Sequence, residues 1–432
     1  MFRLSLASVA ELHKAFRLNT LPLDRGKRRA LFVLSDLVLR GANTSLGVLR
    51  RESPRKRTVF HHLVYDELRE AGLPSQVACD VVSQVWEGRK TAQTFHSVPI
   101  RFNLPRAGAL GETRKGNPVV SVCVGAKHRL ALPIAMDGAC ERLAFHIAGG
   151  FVPKQVRLCL RKGELRLWVL TEKEVPDVPV RPGQPVVGVD VGVRSLAAVS
   201  VVSDRVLEQH YLGRDLYAAQ RDAGLRRSIL QEGISTGAMK DRSRRGMRRM
   251  RGWENRFTTT RSWQVAHQVV ALAEKHGAAI AIEDLKDLNE NTRPKSTKKG
   301  RRKTHRLPYS KFRSSLESLA LERGVPLVAV PPAYTSRRCS RCGEMGNRKG
   351  ATFRCPGCGY LGNADRNASV NIARIASGAG ADTGVSNQSS AQDSRGGGRV
   401  NGPVGNEDGG VGVGWQPYHS PEFKPPVSTG GR

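Results

Sequence analysis

The stretch Val186-Val187-Gly188-Val189-Asp190-Val191-Gly192 has the pattern of a short buried strand that ends in a carboxylate. Its continuous apolar run predicts a strand that is covered on both faces, and the adjacent glycine leaves the aspartate little steric cover over a cleft. Strands are also predicted at 196–202, 206–212 and 278–282, with a helix before the last of them. This alternation is typical of an α/β unit.

Two further carboxylates lie at the ends of predicted elements. Glu283 follows the run 278–282, and Asp365 opens a predicted helix over 368–376. Taken singly, each acid is equally typical of a turn or of a helix N-terminus. Together with Asp190, they suggest a cage for two Mg²⁺ ions about 4 Å apart, which would hold the attacking and leaving oxygens of a phosphodiester. The two ions would neutralise acids that otherwise repel one another.

Four of the eight cysteines fall within twenty residues, on two Cys-x2-Cys pairs: Cys339 and Cys342, then Cys355 and Cys358. This spacing predicts a tetrahedral shell of four sulfurs around one Zn²⁺. Gly343 and Gly359 follow the pairs and allow the backbone to curl around the sulfurs. Four thiolates leave no open coordination position, so the zinc is expected to be structural.

Composition restricts the partners of this 432-residue chain. Seventy Lys and Arg against 38 Asp and Glu give a net charge of +32, which favours nucleic acid as the partner. No apolar run of membrane length and no secretion signal is recognised, so a cytoplasmic protein without a membrane partner is expected. The chain is 39% hydrophobic, and this composition excludes a small scaffold protein that is held together by disulfides.

Two strongly basic segments are candidates for phosphate contact. Residues 240–256 read as a basic helix, and residues 286–306 as a mobile basic loop. The alternatives are a solvated helix face and a disordered insert. The candidate contact residues are Arg244, Arg245, Arg248, Arg249, Arg251, Arg301, Arg302 and Lys303.

Four segments resemble the split RuvC-type nuclease and zinc ribbon of TnpB proteins and compact type V CRISPR effectors. They are 187–193 (VGVDVGV), 280–285 (IAIEDL), 334–343 (YTSRRCSRCG) and 363–368 (NADRNA), and the match covers about 180–376. The resemblance implies an RNase-H-like fold in which Asp190, Glu283 and Asp365 are the magnesium ligands. It also implies a guide RNA as partner and metal-dependent cleavage of target double-stranded DNA beside a short duplex motif.

The expected architecture is a multidomain protein that combines an α/β nuclease with separate α and β parts. Short β-like runs at 119–124, 130–134, 156–160 and 165–170 predict a small barrel or sandwich in its first half. With the resemblance, the predicted parts are a short strand and helical recognition lobe (1–95), a wedge-type β-barrel (96–180), the first part of the RuvC-like nuclease (181–336), the zinc ribbon (337–360), the last nuclease helix (361–377) and a disordered Gly-rich tail (378–432).

The sequence therefore predicts an RNA-guided DNA endonuclease that hydrolyses phosphodiesters with two metal ions. Two alternatives stay open: an RNA-guided DNA-binding protein that silences without cutting, and a transposon-associated DNA-binding protein. A monomer is favoured. The expected location is the prokaryotic cytoplasm, with association to the nucleoid when DNA is bound.

Overall fold

The computed structural model describes residues 9–125, 128–161, 164–237, 239–285 and 307–378. The predicted N-terminal strand, the basic segment 286–306 with Arg301, Arg302 and Lys303, and the tail after residue 378 lie outside these ranges. The described chain divides into two compact units, one over Glu11–Glu174 and one from Val175 onward.

The first unit combines helices with two sheets that share an apolar core. Its elements are β1 (Val9–Leu18), α1 (Arg25–Glu52), α2 (Arg57–Glu70), α3 (Ser75–Gly88), β2 (Ile100–Asn103), β3 (Gly108–Glu112), β4 (Pro118–Gly125), β5 (His128–Pro133), α4 (Gly138–Ala148), β6 (Val152–Arg161) and β7 (Glu164–Pro176). The sheets have the orders β1-β7-β6-β2 and β3-β4-β5. The four predicted strands of this region are confirmed as β4 to β7, whereas closure into a barrel stays a prediction.

Helix α1 corrects one expectation from the sequence. It is long and apolar enough to cross a membrane by length and composition, with a mean hydropathy of 1.2 over its most apolar 18 residues. Expecting no such run was therefore wrong. Leu31, Leu34 and Val38 of this helix are buried in the core of the first unit, where α1 packs as a core helix.

The second unit is built on a five-stranded sheet. Its elements are β8 (Val186–Asp190), β9 (Ala197–Val202), β10 (Val206–Leu212), α5 (Arg214–Ser235), α6 (Lys240–Met250), α7 (Trp253–His276), β11 (Ala279–Glu283), α8 (Tyr309–Arg323), β12 (Leu327–Val330), β13 (Asn347–Lys349), β14 (Thr352–Arg354), β15 (Leu361–Asn363) and α9 (Ala364–Ala376). The strand order is β10-β9-β8-β11-β12. Strands β8, β11 and β12 are parallel, and β9 runs antiparallel to β8 and β10.

Helices cover both faces of this sheet, as its continuous apolar strands predict. Val187 and Val189 belong to the core formed with α7 and α8, while the opposite face receives α9. Gly188 permits the close approach of α9, because a Cβ at this position would lie 2.0 Å from the carbonyl oxygen of Ser369. The missing side chain thus lets the last helix lie directly on the central strand.

Three predicted boundaries differ from the structure. The basic segment 240–256 is not one helix, because Gly252, with a φ of 73°, separates α6 from α7. Helix α9 begins at Ala364 rather than near 368, and Asn363 is its N-cap. Asp190 and Glu283 are the last residues of their strands.

Candidate active site and metal centre

The first two candidate acids lie side by side at the carboxyl ends of parallel strands. Ile282 of β11 pairs with Val189 of β8, so the next residues, Glu283 and Asp190, are neighbours across a spacing of about 4.8 Å. Side chains alternate between the faces of a sheet. Asp190 therefore shares the face of Gly188, which is the face covered by α9.

The third acid reaches this face from the first turn of α9. The side-chain oxygen of Asn363 caps the helix and accepts hydrogen bonds from the backbone N–H groups of Asp365 (2.9 Å) and Arg366 (3.2 Å). The contact of α9 with Gly188 brings its N-terminal turn toward the end of β8. The structure thereby brings Asp190, Glu283 and Asp365 to one region of one sheet face.

The electrostatics of the three acids reflect this convergence. Burial raises the pKa of Asp190 well above its ordinary value, and the nearby charges of Glu283 and Asp365 raise it further. Burial also raises the pKa of Glu283, although the hydrogen bond from the Thr335 hydroxyl lowers it. The centre therefore holds more negative charge than the chain compensates, and a cation would favour the ionised forms.

Arg348 is a member of this centre that sequence reasoning missed. Its Nη2 lies 2.8 Å from Oδ1 of Asp365, and its charge acts to lower the pKa of both Asp190 and Glu283. It lies on β13, between the two cysteine pairs. In a chain with 70 basic residues, no sequence signal distinguishes this arginine from the others.

The donor set fits a hard divalent cation. Three carboxylates offer oxygen ligands, which Mg²⁺ prefers, and the burial of Glu283 together with the partial burial of Asp190 and Asp365 makes an uncompensated charge costly. The triad is nevertheless more open than the cysteine site. Within the ranges described above, one group of three or more potential ligands has all of its ligand atoms within 4.8 Å of one another, and that group is the four cysteines.

The four cysteine sulfurs form a compact cluster. Sγ of Cys339 lies 3.6 Å from Sγ of Cys358, and Sγ of Cys342 lies 3.5 Å from Sγ of Cys355. Backbone hydrogen bonding at Cys358 is the main reason that the pKa of Cys355 falls to about 7, whereas burial raises the pKa of Cys339. Both predicted glycines adopt positive φ, 82° at Gly343 and 68° at Gly359. The arrangement fits a tetrahedral zinc shell.

Side chains of α9 connect the cysteine cluster to the carboxylate centre. The Asn367 side chain accepts a hydrogen bond from the Ser340 N–H (2.8 Å) and donates one to the Arg338 carbonyl (2.6 Å). Asn371 donates to the same carbonyl and to that of Thr335, both at 2.8 Å. The helix that carries Asp365 is thus attached to the segment that carries the first cysteine pair.

The basic candidates of the second unit lie on or just after α6. One side of this helix is anchored by the buried Ser243, and the exposed arginines are Arg244, Arg245, Arg248 and Arg249, followed by Arg251. Of the two tryptophans nearby, Trp253 is exposed and Trp263 is partly buried. Trp253 stacks on Phe257 with ring centroids 5.1 Å apart, and Trp263 packs against the core.

Comparison with known proteins shows what this chain is similar to. Residues 309–372, from α8 through the cysteine cluster into α9, match the family model described as Cas12f1-like, TNB domain. The chain is 27% identical over 263 residues to the CRISPR-associated endodeoxyribonuclease Cas12f1 of Sulfoacidibacillus thermotolerans, covering 58% of this chain and 60% of that protein. The chain is thus similar to TnpB proteins and compact type V CRISPR effectors.

Other relatives and one solved structure agree with this family. The putative RNA-guided DNA endonuclease InsQ of Escherichia coli K12 is 31% identical over 51% of this chain and 56% of its own length. A TnpB-like protein of Aquifex aeolicus is 27% identical over 54% of this chain and 80% of that protein. The Cas12f1 chain of a complex with sgRNA and target DNA superposes with a TM-score of 0.58 and 16% identity, covering 81% of this chain and 83% of that one, which shows the fold.

These alignments cover about three fifths of the first two curated relatives, Cas12f1 and InsQ. The family model and the cysteine cluster coincide, since residues 309–372 include all four cysteines.

Proposed function

We propose that this TnpB-like chain is an RNA-guided DNA endonuclease with an RNase-H-like, RuvC-type centre. It would pair a guide RNA with one strand of target DNA, next to a short duplex motif, and hydrolyse phosphodiester bonds of the opened DNA. The observation that carries the proposal is the convergence of three acids on one sheet face: Asp190 and Glu283 end adjacent strands, and Asp365 lies in the first turn of the helix that packs on them.

Asp190, Glu283 and Asp365 would hold two Mg²⁺ ions, which supply charge stabilisation of the attacking and leaving oxygens. The chain itself orients these ligands. Thr335 holds the Glu283 carboxylate, and the Asn363 cap fixes the turn that presents Asp365. Arg348 offsets part of the negative charge and would also meet the approaching phosphodiester.

The cysteine cluster would bind one structural Zn²⁺. Its role is to hold β13, and therefore Arg348, beside the carboxylates. The exposed arginines of α6 would contact nucleic-acid backbone, which suits a protein that leaves sequence selection to base pairing. Both the proposed guide RNA and the target DNA are polyanions that would offset the net charge of +32.

The test begins with the RNA that copurifies with the full-length chain. We expect one enriched scaffold, whose variable end is then replaced with a sequence matching a plasmid. With Mg²⁺, the loaded protein should linearise the matched plasmid and leave an unmatched plasmid intact. Heterogeneous cellular RNA without an enriched scaffold would argue against a guided mechanism.

Asp190→Asn is the matched inactive variant, because it keeps the shape of the side chain and removes its charge. Its cleavage rate should fall by roughly 10³-fold, the loss expected for several kcal/mol of transition-state stabilisation. Asp204→Asn, in the exposed turn before β10, is the control and should cut normally. If the wild-type protein binds the matched plasmid stably but never cuts it, the chain is an RNA-guided binding protein instead.

A further inference from the structure

A cleft of about 270 Å³ opens beside the carboxylate centre, and three of its lining residues, Arg194, Tyr211 and Arg214, have no part in the chemistry proposed above. Arg194, Tyr211 and Arg214 line it together with Asp365, and we call it the Tyr211 cleft. Its volume lies just below the range of about 300–1,000 Å³ typical of small-molecule sites. That size suits one charged group of a polymer better than a whole small molecule.

Strand register places this cleft and the acids on the same face of the sheet. Ala198 of β9 pairs with Asp190 on one side and with Tyr211 of β10 on the other. Directly opposed residues of antiparallel strands point to the same face. Two strand spacings, about 10 Å in all, separate Asp190 from Tyr211. A single bound strand could therefore contact both.

The Tyr211 ring contacts two guanidinium groups, that of Arg214, which lines the cleft, and that of Arg366, which does not. The guanidinium carbon of Arg214 lies 4.4 Å from the ring centroid, and that of Arg366 lies 4.8 Å from it. Such contacts are cation–π interactions, which stabilise a cation against an aromatic face. Tyr211 therefore keeps two like charges close together beside Asp365.

These guanidiniums lack the acidic partners that other arginines of the unit have. Arg261 pairs with Asp215 and Arg313 with Asp284. In the described part of the chain, no carboxylate forms an ion pair with Arg194, Arg214 or Arg366, and Nε of Arg366 is buried without a hydrogen-bond acceptor. Guanidinium groups only donate, so the ligand they fit is an anion with several acceptor oxygens.

We propose that the Tyr211 cleft binds a backbone phosphate of the DNA strand next to the phosphodiester that is cut. The inference rests on the proposed nuclease function, because a strand in the carboxylate centre must continue along this face. Arg194 and Arg214 pair with the phosphate. Tyr211 is a positioning residue that acts through Arg214 and Arg366.

The test measures binding of fluorescein-labelled oligo(dT) to the full-length protein without added Mg²⁺ and without a chelator, over a range of salt concentrations. Arg214→Gln should weaken binding up to about tenfold, the effect of one charge-assisted hydrogen bond. It should also reduce the slope of log K against log salt by about 0.7, as expected for one lost phosphate contact. Tyr211→Leu should weaken binding similarly, and Tyr211→Phe, which keeps the ring, should restore it.

Arg205→Gln is the matched control, since Arg205 is exposed just before β10, about 20 Å along the strand from Tyr211. Binding losses in Arg214→Gln and Tyr211→Leu no larger than in Arg205→Gln would overturn the proposal. So would oligo(rU) binding more tightly than oligo(dT) through the same residues, because the cleft would then serve the guide RNA.

A second measurement places the contact next to the cut. A single methylphosphonate, which removes the charge of one phosphate, is introduced at each position flanking the mapped cleavage site. At one position it should slow wild-type cleavage about tenfold and leave Arg214→Gln unaffected, a non-additivity that marks a direct contact. If the wild-type protein cuts the matched DNA, but the losses caused by the methylphosphonate and by Arg214→Gln are additive at every position, the inference is refuted and the nuclease proposal is retained. If binding depends on Arg214 and Tyr211 but no guided cleavage occurs, the cleft proposal is retained and the nuclease proposal is refuted.

Discussion

The cysteine cluster and the carboxylate centre share the helix α9, yet they arise from the sequence in opposite ways. The four sulfurs come from one short segment and lie within 4.8 Å of one another. The carboxylates come from β8, β11 and α9, elements far apart in the chain, and form a more open group. A local site thus depends on its metal, whereas a long-range site depends on the packing of the whole unit.

The two sites also differ in what opposes their assembly. Thiols can stay neutral until a metal binds, and their cost is mainly the ordering of a small loop. Asp190, in contrast, lies half-buried next to two acids, and its desolvation is unfavourable for its charged form. Packing around Gly188 and pairing with Arg348 must hold the acids together. Substitutions that disturb either the cysteine cluster or the packing around the carboxylates therefore test this comparison of the two sites.

The largest effect is expected from Cys355→Ser, which removes a buried ligand of the local site. In small zinc domains, the metal supplies on the order of 10 kcal/mol of folding free energy, so the ribbon should lose its order. Zinc measured by mass spectrometry should fall from about one per chain to near zero. Cleavage should fall too, because β13 carries Arg348.

Cys140→Ser is the control for this change, since Cys140 lies in α4 of the other unit and outside the cluster. It should retain zinc and cleavage. Stoichiometric zinc in purified Cys355→Ser would contradict the assignment of the cluster as a zinc site.

Gly188→Ala tests the packing that supports the long-range site. The added Cβ would meet the Ser369 carbonyl at 2.0 Å and the Ala373 nitrogen at 2.7 Å, both backbone atoms that cannot rotate away. Helix α9 must move, at a cost of about 1–3 kcal/mol or more in the free energy of unfolding. Denaturant unfolding should show this loss, and cleavage should disappear while zinc is retained.

Gly111→Ala is the matched control, because Gly111 also lies on a strand, β3, and no atom lies within 4 Å of the added Cβ. Its unfolding midpoint should stay near that of the wild type. Full cleavage by Gly188→Ala would mean that the position of α9 is not needed for the acids to act together.

The same contrast explains what could be predicted from the sequence. The zinc ligands follow from spacing alone, because Cys-x2-Cys pairs bring their own geometry. The strands of the central sheet follow from apolar runs such as 186–189. Their order, and the contact of α9 with Gly188, depend on long-range packing that local pattern does not encode. The three acids could be grouped from the sequence because each lies at the end of a predicted element, and the family resemblance added their role as magnesium ligands.

Residues without a distinctive pattern were missed for the same reason. Arg348 is one of 51 arginines, and only the path of the ribbon brings it to Asp365. Tyr211 lies on a strand whose register had to be known before it could be related to Asp190. The break between α6 and α7 depends on Gly252, whose positive φ ends the basic segment that looked continuous.

Asn367→Ala tests whether the two sites depend on each other. Asn367 is fully buried, and its loss would leave the Ser340 N–H without its acceptor and remove one donor to the Arg338 carbonyl. An unsatisfied buried group costs about 1–3 kcal/mol. The thermal midpoint and the cleavage rate should both fall, with zinc still bound. Asn117→Ala, in an exposed turn, should change neither.

The smallest effect is expected at Glu208, a carboxylate with long-range partners but the opposite electrostatic balance to Asp190. Hydrogen bonds from Lys275, and then from His210 and His276, lower its pKa to about 2. Since the folded pKa lies below the ordinary value of 4.5, the stabilisation is present above pH 4.5 and is lost as the pH falls toward 2. Glu208→Gln should therefore lower the thermal midpoint slightly at neutral pH, and its difference from the wild type should shrink between pH 4.5 and pH 2.

The control is Glu112→Gln, at the exposed end of β3, which should show no such pH-dependent difference. If the difference in thermal midpoint between Glu208→Gln and the wild type stays constant through this range, packing rather than charge makes this long-range contact stabilising.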